Sequence, residues 1–137
     1  MHHRRRHTIQ TRQHNDDRSD RGAATVEVAG NLALMLLTVS VGAQVAAWGL
    51  AALGAHYSAN QAANTARLHG SSATAGQDNG YTMLNSAVGT ALRDPTVTVT
   101  RNATTVTATV TGRAASIIPG ISPPVTVTVH VPVERVG

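Results

Sequence analysis

The sequence predicts an α+β fold: a long N-terminal transmembrane helix that extends outward, then a short helix and a small antiparallel three-stranded sheet. Three observations carry this expectation. Val28 to Leu53 runs for 26 residues without a charge. The Ala-rich stretch after it keeps helical spacing, and beyond residue 95 the apolar period changes to two.

The chain has 137 residues and a formal charge of +4, distributed unevenly. Residues 1–22 hold Arg4, Arg5, Arg6, Arg12, Arg18 and Arg21 against three Asp, while the remainder is close to neutral. This polar segment has no apolar periodicity and reads as a disordered basic leader on the cytoplasmic side. It has no aromatic residue to stack on bases and joins a membrane-length segment directly, so nucleic acid is not an expected partner. The absence of cysteine excludes disulfides, thiolate metal sites and a cysteine nucleophile.

The uncharged run holds Leu32, Leu34, Met35, Leu36, Leu37, Val39, Val41, Val45, Trp48, Leu50 and Leu53. A bilayer core needs roughly 20 helical residues, and the apolar part of a cleaved secretory signal is usually about 7–15. The run therefore reads as a single membrane span. Arginines before it and a near-neutral stretch after it place the N-terminus in the cytoplasm and the C-terminal part outside. Trp48 and Tyr57 then fall near the outer interface. Ala55, Ala59, Ala62, Ala63 and Ala66 continue a small-residue stripe, so the helix is expected from about residue 24 to residue 68, with Gly70 as its breaker. This gives three segments: a leader over 1–22, a transmembrane and juxtamembrane helix over 23–70, and an extracytoplasmic α+β domain over 71–137.

In the third segment, "SSATAGQDNG" at 71–80 reads as a polar loop. Tyr81 to Leu92 places Leu84, Ala87, Val88 and Ala91 on one face of a short helix that ends before Asp94-Pro95. "TVTVT" at 96–100 and "TVTATVT" at 105–111 form a hairpin with a valine face and a threonine face, joined by a turn at Arg101-Asn102-Ala103-Thr104. Asn102 also satisfies a glycosylation sequon, but a turn role is the better reading. A Pro/Gly-punctuated connection leads to a third strand at 125–133, with Val125, Val127, Val129 and Val131 inward; Pro132 ends it or places it at an edge. A core this small, built from Val, Ile, Leu and Ala, is marginal alone, so it is expected to pack on the long helix or on partner subunits.

Glu27 is the one acid in a long stretch, with no further charged side chain until Arg67. At the mouth of the apolar run it fits an interfacial acid favoured by a helix N-terminus. Its neighbours add a second reading. Arg21-Gly22-Ala23-Ala24-Thr25-Val26-Glu27 resembles a type IV prepilin processing site, in which a basic leader ends in Gly and a glutamate stands fifth in the mature chain. With "NQAANTARLHG" at 60–70, the Thr/Val strands and the terminal "VPVER", the chain is similar to the TadE-like minor pilins, or pseudopilins, of tight-adherence type IV pilus systems. The resemblance covers about residues 21–70 closely and 96–135 loosely. Three features depart from that pattern: no Pro near Ala33, Val28 in place of an aromatic, and Asn31 as a polar group in the span.

The resemblance implies cleavage by a prepilin peptidase between Gly22 and Ala23, and a counter-charge from Glu27 to the new α-amine of Ala23 or of a neighbouring subunit. Ala23 and Glu27 lie four residues apart and share a helix face. It further implies a structural role in assembling a pilus or related secretion system in the bacterial cytoplasmic membrane, with major pilin and sister minor pilins as partners beside membrane lipid. Gly42, Ala46 and Gly49, with Gly54 below, offer a small-residue surface where another helix can approach, and Gln44 is expected to hydrogen-bond across that contact.

No histidine stands in a motif with an acid or nucleophile, and no glycine-rich phosphate loop follows a strand. His56, His69 and His130 are widely separated and read as surface residues. The expectation is therefore a protein that is not an enzyme, with no metal, cofactor or small-molecule substrate. The alternative is a β-rich adhesion module, either kept on its membrane anchor or secreted after a signal-peptidase cut near "LGA" at 53–55.

Overall fold

The computed structural model describes residues 10–135, with side chains from residue 19 onward. The order of elements is a long helix α1 (Gln10–Arg67), a helix α2 (Ala73–Ala87), a 3-10 turn (Gly89–Ala91), and strands β1 (Leu92–Arg101), β2 (Thr105–Ala114) and β3 (Pro124–Pro132). The α+β class and the three-stranded antiparallel sheet agree with expectation. The chain divides into two compact units, Met1–Val39 and Ser40–Gly137, and α1 enters both.

Helix α1 begins well before the expected residue 24. The leader was expected to be disordered through Gly22, whereas the chain is helical from Gln10. Nucleation is the costly step of helix formation, and each residue added to an existing helix costs little. Residues 10–21 contain neither Pro nor Gly, so nothing interrupts propagation backward from the apolar run. Residues 1–9 lie outside the described part.

The second unit is built around the C-terminal part of α1. Ala51, Ala55, Ala59, Ala62, Ala63 and Ala66 are all fully buried. They form one core with Leu84 of α2, Leu92, Val97 and Val99 of β1, Val106, Ala108, Val110 and Ala114 of β2, and Val125 of β3. The expected stripe of helix alanines is thus the floor of the second unit's core. The end of α1 is closed by Gly70, whose φ of +76° suits a residue without a Cβ. Arg101 reaches back from β1 and donates to the carbonyls of Ala66 at 2.7 Å, Leu68 at 3.2 Å, and Ser71. Glu134 adds a backbone bond to Arg67 O at 3.0 Å and a loose ion pair with its guanidinium at 3.8 Å.

The expected polar loop at 71–80 is largely helix. Helix α2 starts at Ala73, where Ser72 caps it by accepting from Ala75 N at 3.1 Å. Gly76 and Gly80 lie in the stretch expected to be a polar loop, and glycine weakens an isolated helix. Their role is spatial. A Cβ on Gly76 would lie 2.5 Å from Ala62 O and 2.7 Å from Ala66 Cβ; one on Gly80 would lie 2.8 Å from Val97 Cγ1 and 3.1 Å from Ala62 Cβ. The two helix backbones approach so closely that only glycine fits. Buried Ser58 donates to Gly80 O at 2.7 Å, and Asn79 donates to Thr65 Oγ1 at 2.7 Å, so the contact leaves these polar groups paired. Tyr81 ties α2 to the sheet by accepting from Val97 N at 3.1 Å.

The sheet order is β1-β2-β3, so β3 is an edge strand that ends at Pro132. Val97 pairs with Val110 and Val110 with Val127; Val99 pairs with Ala108 and Ala108 with Val129. These residues lie on the core face, while the other face carries cross-strand pairs such as Thr107 with His130 at 2.9 Å and Thr109 with Thr128 at 3.3 Å. β1 starts four residues earlier than expected, because Asp94 takes a positive φ of 49° and the register shifts between Arg93 and Thr96. A bulge there lets the strand run through Pro95. Asn102 turns the hairpin, its Oδ1 accepting from Thr104 N at 2.9 Å and Thr105 N at 2.7 Å.

The glycine contact gives a test. Gly76→Ala normally gains up to about 1 kcal/mol in an exposed helix, but overpacking typically costs about 1–3 kcal/mol. We expect net destabilisation, read as a lower urea midpoint for the domain in the detergent-solubilised full chain. A variant as stable as the parent would show that α1 and α2 can separate without loss.

Candidate assembly surface

In the first unit every described side chain is exposed. Val26, Val28, Leu32, Leu34, Met35, Leu36, Leu37 and Val39 are all more than half exposed. They occupy every side of the helix, so no single face is assigned to a core. A helix that is apolar all round requires lipid or other apolar surface around it. The segment is long and apolar enough to cross a membrane. Two of its polar hydroxyls are satisfied locally: Thr25 donates to Arg21 O and Thr38 to Leu34 O, both at 2.9 Å.

Gly22, Ala23 and Glu27 all lie within α1 and are exposed. A Cβ added at Gly22 would meet no atom within 4 Å. No packing requirement of the folded chain therefore explains a glycine at position 22, although glycine is a poor helix residue. Glu27 stands one turn beyond Ala23 with its carboxylate accessible, so it is placed to meet a positive group from outside the chain.

The three small residues expected to admit another helix are exposed: Gly42, Ala46 and Gly49. Space around Gly42 and Gly49 is open. Gly54 does not continue that surface. A Cβ there would fall 2.1 Å from Val88 Cγ2, so Gly54 is committed to packing against the end of α2. Helical rotation of about 100° per residue explains the split, since position 54 lies about a third of a turn away from 42, 46 and 49.

Gln44 was expected to bond across a helix–helix contact. It is instead the first buried residue along the described helix and is used inside its own domain. Its Nε2 donates to Ala115 O at 3.1 Å, and its Oε1 accepts from Ile117 N at 2.8 Å and Ile118 N at 3.1 Å. One side chain thereby holds the start of the β2–β3 connection against α1. Trp48, one turn further on, donates to Pro124 O at 3.4 Å at the other end of that connection. The hydrogen-bonding role expected of Gln44 is present, but a single sequence does not say which distant backbone it meets.

Among the described residues no group of three or more His, Asp or Glu side chains is placed to hold a metal. His56 and His69 are exposed and separate, and His130 bonds to Thr107 on the outer face of the sheet. One open groove of about 480 Å³ lies between Leu50, Leu53, Gly54 and Tyr57 of α1 and Ala87, Val88 and Ala91. Its wall is apolar apart from the Tyr57 hydroxyl, which suits an apolar occupant rather than bond-making chemistry. No family model, no curated protein and no solved structure matches this chain.

The Gln44 junction predicts a local effect. Gln44→Leu preserves side-chain bulk and helix but leaves the Ile117 and Ile118 amides without an acceptor. Losing such partners costs roughly 1–3 kcal/mol. Hydrogen exchange at Ile117 and Ile118 should accelerate about tenfold or more while β1 amides keep their protection; unchanged exchange would mean that the loop holds itself.

Proposed function

We propose that this protein is a minor pilin or pseudopilin that supports assembly of a tight-adherence type IV pilus or a related secretion system, after removal of its leader at Gly22. The observation that carries the reading is a single helix with two uses. It presents an exposed apolar surface with one acid, Glu27, five residues after Gly22, and it then supplies part of the core of the second unit. A membrane tether alone needs no such continuity. A subunit that must transmit its position from a lateral helix contact to an outer domain does.

The same feature weighs against a secreted adhesion module. A cut near Leu53-Gly54-Ala55 removes Gln44 and Trp48, which hold the β2–β3 connection, and buried Ala51 with them. The released domain would keep Ala59, Ala62, Ala63 and Ala66 but lose the part of α1 that holds the β2–β3 connection. An uncut, anchored module keeps that core with Glu27 as an interfacial acid, but gives no reason for its place five residues after Gly22.

Maturation proceeds in this reading by cleavage of the Gly22–Ala23 bond, with the N-terminus in the cytoplasm and the domain outside. Gly22 lies within α1, so the peptidase must unwind the chain there. Glycine lowers the cost of that step by about 1 kcal/mol relative to alanine. The new α-amine of Ala23 requires a counter-charge in an apolar setting. Glu27 provides it within the chain or to a neighbouring subunit, and the second arrangement sets the axial register between helices. Major pilin and sister minor pilins are the corresponding partners.

Two variants test this reading. Gly22→Leu should retain the leader, seen as an uncut chain by intact mass from native membranes; normal maturation would count against the processing site. Glu27→Gln should be processed normally yet recovered with the assembly at a much reduced level. Wild-type incorporation of Glu27→Gln would remove the counter-charge role.

A further inference from the structure

The β2–β3 connection, residues 115–123, reads Ala-Ser-Ile-Ile-Pro-Gly-Ile-Ser-Pro and is unlike the other turn of the sheet. The β1–β2 turn is polar, built on Asn102 and Thr104. Those two ends of β2 also lie at different levels along α1. The polar end belongs with the helix terminus, where Arg101 bonds to Ala66 O and Leu68 O, and Glu134 N to Arg67 O. The apolar end belongs with Gln44 and Trp48. The sheet is thus polar at one end and apolar at the other.

At the apolar end, Ile117 is 50% exposed and Ile121 is 45% exposed, and no Asp, Glu, Lys or Arg occurs between Arg113 and Glu134. The apolar surface continues on α1 beside it, where Val41 and Val45 are exposed. Non-helical backbone can enter a membrane only where its polar groups are satisfied by protein. This loop meets much of that condition. Gln44 takes the Ile117 and Ile118 amides and the Ala115 carbonyl. Ala115 N donates to Ala91 O, Ile121 N to Ile118 O, and the Ser116 and Ser122 hydroxyls to Ile118 O and Ala114 O. Pro119 and Pro123 have no amide hydrogen to satisfy.

We propose that this loop is a second membrane contact, with Ile117 and Ile121 seated in the interfacial layer of the bilayer beside Gln44, and with Gln44 as the residue that positions it. The inference rests on the reading of α1 as a membrane span, and independently of pilus assembly. Its length fits: counted from Val28, the first residue after Glu27, the roughly 20 residues that a bilayer core requires end at Ala47, in the turn that holds Gln44. Gln44 then falls where the hydrocarbon ends. Trp48 follows one turn later, at the depth that amphipathic rings favour. The loop gives the second unit its own point of attachment to the membrane surface.

The chain has no cysteine, so single cysteines can carry an environment-sensitive NBD label in the full protein. The protein is reconstituted in phosphatidylethanolamine–phosphatidylglycerol vesicles containing, in parallel samples, lipids with a doxyl quencher near the headgroup and lipids with one at mid-chain, the second set reading position 36. Leu36→Cys reports the span, Ile121→Cys the loop and Ala103→Cys the distant turn. We expect blue-shifted emission and several-fold stronger lipid quenching at 121 than at 103. In the Gln44→Leu background, quenching at 121 should fall while that at 36 is unchanged. Quenching at 36 with position 121 behaving like 103 would overturn the loop contact and leave the span intact. An unquenched label at 36 would overturn both. Shielding at 121 that ignores the lipid quencher and rises with protein-to-lipid ratio would identify contact between copies and overturn the proposal. Quenching at 121 that survives Gln44→Leu would overturn the positioning role.

Discussion

The close contact between the backbone of α1 and that of α2 supports the rest of the second unit. Ala62 and Ala66 on one side and Gly76 and Gly80 on the other bring the two helices within a distance that one added methyl group would forbid. At that separation α2 lies low enough for Val97 of β1 to reach the same layer. The core contains no ring larger than the partly buried Tyr81, so its cohesion comes from many small side chains at close packing. Small residues bury little area each. Paired polar groups, Ser58 with Gly80 and Asn79 with Thr65, complete the contact.

Because α1 supplies the floor of this core, the domain cannot be considered apart from its helix. A conventional anchored domain has a linker between membrane and fold, and the two are independent. Here the apolar run becomes the core helix without a break, and Gln44 marks where the helix first becomes part of the domain. Burial begins on one side of α1 while Gly42, Ala46 and Gly49 remain accessible on another. The proposed assembly role uses that accessible side for lateral contacts.

Electrostatics is sparse and placed at the margins. Glu27 is exposed near the start of the apolar run, and the Arg67–Glu134 pair at 3.8 Å is partly exposed and so contributes little. Arg101 matters more, since its guanidinium donates to the Ala66 and Leu68 carbonyls at the end of α1. It does by side chain what a longer capping loop does elsewhere, and it ties the first hairpin to the helix terminus.

The sequence by itself determined what local periodicity encodes. The uncharged run, the alanine stripe from Ala55 to Ala66, the valine and threonine faces of the strands, the turn at Asn102 and the edge position of β3 follow from spacing and residue type, because each is set by near neighbours in the chain. The start of α2 was hidden, since Gly76 and Gly80 weaken a helix in isolation and are favourable only beneath Ala62, Ala66 and Val97. The partner of Gln44 was hidden for the same reason: its hydrogen bonds reach more than seventy residues along the chain. Tertiary structure alone decided which glycines are open surface and which are points of contact, because that depends on the distance between backbones and not on the residues beside them.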